Sequence, residues 1–208
     1  MRCVIIGGAP DADISFIKTS VKDGDFIICA DKGYEYALKA EIKPDLVIGD
    51  FDSCEAPVDG VKTIRLNPQK DDTDTIHCID TALENGYDEI VLLASLGGRT
   101  DHLYANLSAL KYIHTKGADG VILSEREAIR FLPCGEYEFN GYREKTFSVF
   151  PFGCDKVCVS YEGAQYPLNK YYLQSDFPLG VSNVFVSDNA KISIYDGNAI
   201  LIINLLIN

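Results

Sequence analysis

The hydrophobic and polar positions of the chain follow two patterns that meet near residue 125. Before that point, short runs of consecutive apolar residues alternate with segments whose apolar residues recur three and four positions apart. These are the patterns of buried strands and of amphipathic helices. Strands that are apolar on both faces need helices on both sides, so this part predicts a parallel sheet covered by helices, a Rossmann-like α/β domain. The predicted strands are 3–6, 26–30, 46–48, 61–66, 90–94 and 121–123.

Helices are predicted between these strands. The first begins near Asp11, the second ends before Pro44, and the third opens within 69–74 and ends at Gly86. Their apolar positions are Tyr34, Ala37 and Leu38 in the second helix, Ile76, Ile79 and Leu83 in the third, and Leu103, Leu107, Leu110 and Ile113 in the fourth.

After residue 125 apolar and polar residues alternate, and Gly and Pro recur at short intervals. A period of two is typical of strands that bury one face. We therefore expect a small antiparallel β-sandwich, which gives an α/β domain at 1–127 and an all-β domain at 128–208. The alternating sets are Phe147 and Val149; Val157, Val159 and Tyr161; Val184 and Val186; and Ile192 and Ile194.

The charge of the chain restricts its partners. A net charge of −12 over 208 residues argues against binding to nucleic acid or to anionic membranes, because both need a basic surface. A phosphorylated substrate is compatible with this charge, provided that a metal ion supplies positive charge.

Cysteine usage and the two chain ends favour a cytoplasmic protein. The seven cysteines contain no Cys-x-x-Cys motif, which predicts reduced thiols rather than a disulfide frame or a zinc site. The segment 1–8 predicts a strand rather than a signal peptide, and the apolar run 199–207 is about half as long as a membrane-spanning helix.

Acidic residues follow the ends of two predicted strands. Asp31 follows the second strand, and Asp50 and Asp52 follow the third. The carboxyl ends of parallel strands are where such sheets bind their ligands. Closely spaced carboxylates repel one another unless a cation lies between them, and Mg²⁺ prefers oxygen ligands. Asp50 and Asp52 are therefore the first candidates for metal ligands, with a solvated turn as the alternative.

The sequence Lys-Asp-Asp-Thr-Asp precedes the third predicted helix. Thr73 and Asp74 could serve function or could simply cap the helix. Asp71 and Asp72 could likewise serve function or have only a structural role at the helix start. Lys70 could contact a phosphate or lie in solvent. The backbone N–H groups at the helix start could also hold a phosphate.

The sequence Gly-Gly-Arg-Thr-Asp-His at 97–102 follows the fifth predicted strand. The glycines permit close backbone approach, and Arg99 supplies a fixed cation, a combination suited to a phosphate chain. Asp101 and His102 lie at the start of the next helix. His102 could carry a proton or act as a hydrogen-bonding cap.

These motifs, in this order, resemble those of the thiamine pyrophosphokinase family. The family's Gly-Asp-Phe-Asp-Ser, Lys-Asp-Asp-Thr-Asp and Gly-Gly-Arg-Thr-Asp-His motifs are matched at 49–53, 70–74 and 97–102. The segment 29–33 resembles an Ala-Asp-Gly-Gly element, with Lys32 in place of the first Gly. The segment 180–185 resembles a Gly-x-Ser-Asn-x-Phe element, with Val184 where many members carry an acid.

The resemblance implies transfer of diphosphate from ATP to the hydroxyl of thiamine, giving thiamine diphosphate and AMP. It also implies a homodimer whose composite active sites hold thiamine between the α/β domain of one subunit and the β domain of the other. The implied roles are Mg²⁺ binding by Asp50, Asp52 and Asp74; catalysis by these three and Asp101; ATP binding by Asp31, Lys70, Asp71, Thr73, Arg99 and His102; and thiamine contacts by Ser182 and Asn183.

Two other functions remain open from the sequence. One is a Mg²⁺-dependent phosphohydrolase in which Asp50 is the nucleophile and Asp52 the neighbouring acid. The other is a non-catalytic sensor of thiamine or a nucleotide.

The general base of the implied diphosphate transfer also stays open. The proton of the thiamine hydroxyl could be accepted by Asp74 or Asp101, or it could leave late without a dedicated base.

Overall fold

The structure, a computed structural model, describes residues 1–10, 12–51, 60–67 and 73–206. The chain divides into two compact units, Met1–Glu125 (unit 1) and Arg126–Asn208 (unit 2). In these described ranges, none of the helices has both the length and the apolar character needed to span a bilayer.

Unit 1 contains parallel strands joined by helices. The strands run in the order β6-β5-β1-β2-β3-β4, and every pair of neighbours is parallel. The strands are β1 (Arg2–Ile6), β2 (Phe26–Ala30), β3 (Leu46–Gly49), β4 (Thr63–Arg65), β5 (Glu89–Leu93) and β6 (Asp119–Leu123). The helices are α1 (Ile14–Ser20), α2 (Gly33–Lys39), α3 (Asp74–Glu84) and α4 (Thr100–Thr115). The parallel strands and intervening helices predicted from the sequence are confirmed.

The strand order creates a crevice beside β1. The chain passes from β1 to β2 on one side, whereas β5 pairs with β1 on the other side. Open α/β sheets bind ligands at such a reversal of strand order, at the carboxyl ends of the strands. The loops that follow β1 and β5 are therefore expected to form a binding site.

Two helices differ in detail from their predictions. In α2, Tyr34, Tyr36 and Ala37 are buried, whereas Leu38 is 55% exposed. Leu38 was therefore wrongly assigned to the buried face, because Tyr36 packs there instead. Helix α1 begins at Ile14, where the side chain of Asp13 accepts a hydrogen bond from the Phe16 amide at 2.9 Å.

Unit 2 contains two antiparallel sheets. One has the strand order β12-β9-β14-β7, and the other has the order β11-β10-β13-β8. Their strands are β7 (Glu127–Leu132), β8 (Gly135–Asn140), β9 (Thr146–Pro151), β10 (Lys156–Glu162), β11 (Leu168–Gln174), β12 (Asn183–Val184), β13 (Asn189–Asp196) and β14 (Ala199–Asn204).

Aromatic side chains form the centre of unit 2. Phe185 stacks on Phe147 of β9, with ring centroids 4.2 Å apart, and on Phe139 of β8, at 5.2 Å. Tyr161 of β10 meets Phe147 edge to face at 5.3 Å. Side chains from both sheets of unit 2 thus share one apolar core.

Two predictions for unit 2 are wrong. The predicted inward pair, Val184 and Val186, has the opposite phase: Phe185 is buried, and Val186 is 49% exposed. The larger Phe ring takes the inward position because it stacks on two other rings. Strand β10 does not bury one face alone, because Cys158 and Ser160 are buried together with the predicted set Val157, Val159 and Tyr161.

Candidate functional site

A cavity of about 800 Å³ lies at the carboxyl edge of the unit 1 sheet. Its walls include the loop 7–10 after β1, the residues 30–32 at the end of β2, and the loop after β5 with Gly97 and Gly98. The starts of α3 and α4 complete the walls, with Thr73, Asp74, Thr75, Arg99 and His102. The cavity therefore occupies the crevice that the strand order creates.

Three carboxylates meet near this cavity. One oxygen from each of Asp31, Asp50 and Asp74 lies within 4.8 Å of the other two, and all three side chains are partly buried. Asp31 follows β2, Asp50 follows β3, and Asp74 is the first residue of α3. The predicted partner Asp52 lies outside the described residues, as do Lys70, Asp71 and Asp72.

The backbone brings Asp31 against the end of β3. Asp31 has a φ of 45°, and its amide donates a hydrogen bond to the Ile48 carbonyl at 2.8 Å. A Cβ placed on Gly49 would lie 3.0 Å from the Asp31 Cα. Glycine at position 49 thus allows the chain after β2 to approach the end of β3. A non-glycine residue in the left-handed region is strained, and such strain is common at functional sites.

Thr73 caps helix α3. Its hydroxyl oxygen accepts a hydrogen bond from the Ile76 amide at 3.3 Å. The cap fixes the first turn of the helix and with it the direction of Asp74. Thr73 therefore has a structural role in the site, and its predicted contact with the nucleotide stays a prediction.

Arg99 and Asp101 form a two-bond ion pair at the start of α4. The Arg99 Nε and Nη2 atoms donate to the two Asp101 oxygens at 3.2 and 2.7 Å, and both side chains are exposed. The Arg99 hydrogen bonds hold the pKa of Asp101 below its usual value. A carboxylate with a lowered pKa is a weaker base, which disfavours Asp101 as acceptor of a hydroxyl proton while the pair persists. Arg99 and His102 line the cavity.

Two residues that the sequence reasoning missed hold the cavity loops. The Tyr36 hydroxyl donates to the Ala9 carbonyl at 3.0 Å, and the Asn106 amide nitrogen donates to the Ser95 carbonyl at 2.8 Å. Asn106 is a polar residue three positions after Leu103, on the predicted apolar face of α4. A polar residue within this apolar face was the signal in the sequence that could have indicated the role of Asn106. Nothing in the local pattern marks Tyr36.

The two predicted thiamine contacts differ in their surroundings. Ser182 is exposed, has a φ of 57°, and its amide donates to the Ser148 hydroxyl at 3.0 Å. Asn183 is buried, and its side chain binds the backbone of Tyr166 in both directions, accepting from the amide at 3.0 Å and donating to the carbonyl at 2.8 Å. The Asn183 amide group is thus committed to joining two segments of unit 2.

We expect Asn183→Ala to destabilise unit 2, with Ser182→Ala as its matched control. The substitution leaves the Tyr166 backbone groups without their side-chain partner, which costs about 1–3 kcal/mol. Ser182→Ala keeps the backbone hydrogen bond and should shift the free energy of unfolding by less than about 0.5 kcal/mol. Urea denaturation of both variants measures the difference. Equal stability of the two variants would contradict the structural role of Asn183.

Two sequence families match the chain. The catalytic domain of thiamin pyrophosphokinase matches residues 17–122, and the vitamin B1 binding domain of thiamin pyrophosphokinase matches residues 136–198. The first match contains the three clustered carboxylates, and the second lies within unit 2.

Individual relatives carry the same family name. The thiamine pyrophosphokinase of Bacillus subtilis is 28% identical over 209 residues, covering 95% of this chain and 96% of that protein. Thiamin pyrophosphokinase 1 of Caenorhabditis elegans is 24% identical, covering 87% of this chain and 80% of that protein. A crystal structure of the Bacillus subtilis enzyme has a TM-score of 0.89 at 25% identity and covers 98% of this chain and 99% of its own.

Proposed function

The chain belongs to the thiamine pyrophosphokinase family, and from this premise we propose that it transfers diphosphate from ATP to the hydroxyl of thiamine, giving thiamine diphosphate and AMP. The observation that carries the proposal is the group of three carboxylates beside the cavity of unit 1. Because the members of this family are diphosphotransferases, we take the chain to be an enzyme. Neither the phosphohydrolase nor the non-catalytic sensor is favoured by any contact in the described residues.

The carboxylate group fits a magnesium ion. Its donors are all oxygens, which suit Mg²⁺, Ca²⁺ or Mn²⁺ rather than soft metals. Magnesium binds oxygens at about 2.0–2.1 Å, so ligands on opposite sides of the ion lie about 4 Å apart. The separation of the three oxygens, within 4.8 Å, is close to that requirement. Asp31, Asp50 and Asp74 would hold the ion, and Asp52 stays a predicted further ligand.

Each part of the cavity supports one part of the proposed reaction. When bound, Mg²⁺ would neutralise phosphate charge and help to align the attacking and leaving oxygens. Gly98 has a φ of 70°, and a Cβ there would lie 2.7 Å from Pro10, so glycine keeps the loop after β5 close to the loop after β1. Arg99 can place its remaining N–H groups on the nucleotide. Such positioning is what phosphoryl transfer chiefly requires from the protein.

Unit 2 is the proposed thiamine-binding domain, and its two sheets are proposed to pack as a β-sandwich. The aromatic core shared by its sheets supports that packing. Unit 1 is the proposed nucleotide- and metal-binding domain, and its strand order supports the Rossmann-like description. The cytoplasmic location also stays a proposal; it is supported by the free thiols of the described cysteines, which are typical of a reducing compartment.

We further propose a homodimer with composite active sites. The apolar C-terminal run 199–207 also led us to expect a dimer contact, but it does not support one, because β14 pairs with β7 and β9 and its Leu201 is fully buried. Support comes instead from the loop before Ser182, where Phe177, Leu179 and Val181 are 64%, 49% and 52% exposed. Exposed apolar groups of this kind favour a protein contact. Light scattering at micromolar concentration measures the mass directly.

The reaction itself is tested by product analysis. With Mg²⁺, ATP and thiamine, we expect AMP and thiamine diphosphate to appear in equal amounts, because one diphosphoryl group moves per turnover. Omission of thiamine should abolish AMP formation, and chelation of the metal should abolish both products. Formation of ADP and thiamine monophosphate would refute diphosphoryl transfer, and release of inorganic phosphate without thiamine would favour the phosphohydrolase.

A further inference from the structure

Lys32 is a charged residue of the cavity that the proposed function leaves without a role. It directly follows Asp31, precedes α2 as its N-cap, and lines the cavity. A Cβ placed on Gly8 would lie 3.1 Å from the Lys32 Cβ. The lysine side chain therefore starts against the loop that follows β1.

The Lys32 ammonium lies beside a ring that holds this loop. Its Nζ atom is 6.0 Å from the centroid of the Tyr36 ring, and the Tyr36 hydroxyl donates to the Ala9 carbonyl. Tyr36 is 7% exposed, so the ring is a fixed part of the structure. The Lys32 ammonium therefore lies beside a buried ring that itself contacts the loop after β1.

The charges around the cavity leave this ammonium available. The other described lysine or arginine side chain in the cavity wall is Arg99, which already donates two hydrogen bonds to Asp101. Within the described part of the chain, Lys32 makes no ion pair. A nucleoside triphosphate with one bound magnesium ion keeps net negative charge. A lysine ammonium binds phosphate oxygens as a compact point charge.

We propose that Lys32 binds the phosphate chain of the nucleotide and makes the site selective for triphosphates over nucleotides with fewer phosphates. The inference rests on the proposed function, because it assumes that the cavity takes ATP. The lysine adds positive charge at the loop after β1, opposite in sign to the neighbouring Asp31. Its contact depends on the length of the phosphate chain, whereas contacts to the nucleoside do not.

The test compares Lys32→Gln with Lys39→Gln. Lys39 is a matched control because its ammonium lies 5.7 Å from the same Tyr36 ring, but it pairs with Glu35 at 3.9 Å and is absent from the cavity wall. Calorimetric titration with Mg²⁺ and ATP, without thiamine, should give Lys32→Gln a Kd about tenfold higher than the parent, or about 1.4 kcal/mol. Its Kd for AMP should change less than twofold. Lys39→Gln should match the parent for both nucleotides, and Lys32→Arg should retain most of the ATP affinity.

Other outcomes would overturn the inference. These are an unchanged ATP affinity in Lys32→Gln, an equal loss for ATP and AMP, or an equal loss in Lys39→Gln. Because these titrations contain no thiamine, they are independent of turnover. A parent that binds ATP through Lys32 but forms no thiamine diphosphate would refute the proposed function alone. Normal product formation with no loss of ATP affinity in Lys32→Gln would refute this inference alone.

Discussion

Asp50→Asn is expected to lower the rate of thiamine diphosphate formation by about a hundredfold or more and to leave the metal-free protein at least as stable as its parent. Asn keeps the shape of the side chain but removes a negative charge from the site proposed to hold Mg²⁺. A metal clamp on phosphate oxygens stabilises the transition state by several kcal/mol, and each 1.36 kcal/mol is a tenfold change in rate. Removing one of three close carboxylates relieves repulsion on the order of a kcal/mol.

Thermal melts separate this effect from simple loss of structure. Mg²⁺ with ATP should raise the melting temperature of the parent more than that of Asp50→Asn, because only ligand bound to the folded state stabilises it. Asp80→Asn is the matched control, since Asp80 lies in the same unit and accepts a hydrogen bond from the Tyr112 hydroxyl at 2.6 Å. That variant should lose about 1 kcal/mol of stability and keep its turnover. An active but destabilised Asp50→Asn would refute the metal assignment.

Much of unit 1 could be predicted because its strands carry a strong local signal. A strand with neighbours and helices on both sides is apolar throughout, and the predicted segment 26–30 coincides with β2 (Phe26–Ala30). Unit 2 was harder to predict. Val184, Phe185 and Val186 are all apolar, so alternation alone cannot decide which of them points inward. Phe185 points inward because it stacks on Phe147 and Phe139, which lie far from it in the sequence.

The residues of the candidate site could be predicted from their positions at strand ends and helix starts, but the distances between them could not. Asp31, Asp50 and Asp74 were all candidates, because each lies just after a predicted strand or at a predicted helix start. Their mutual distance depends on the left-handed backbone of Asp31 and on the close approach at Gly49, which the pattern of apolar residues does not contain. The contact between Tyr36 and Ala9 joins residues 27 positions apart, so it depends on tertiary packing and not on the local sequence pattern.

The largest expected effect on stability comes from Phe185→Ala. Phe185 is 1% exposed and stacks on the rings of Phe147 and Phe139, while its backbone amide donates to the Lys145 carbonyl at 3.0 Å. Alanine keeps that backbone bond but leaves a cavity where the two other rings lose their partner. Replacing a buried Phe by Ala costs about 3–5 kcal/mol, from lost transfer free energy and from the cavity that remains.

The neighbouring residue provides the control, because the sequence pattern and the structure disagree about it. Val186 was predicted to point inward, whereas the structure leaves it 49% exposed and buries Phe185. Val186→Ala should therefore change the free energy of unfolding by less than about 1 kcal/mol. Phe185→Leu should recover part of the loss, since Leu refills some of the cavity. Urea denaturation of the three variants measures this order, and a larger loss for Val186→Ala than for Phe185→Ala would contradict the burial of Phe185 and favour an inward Val186.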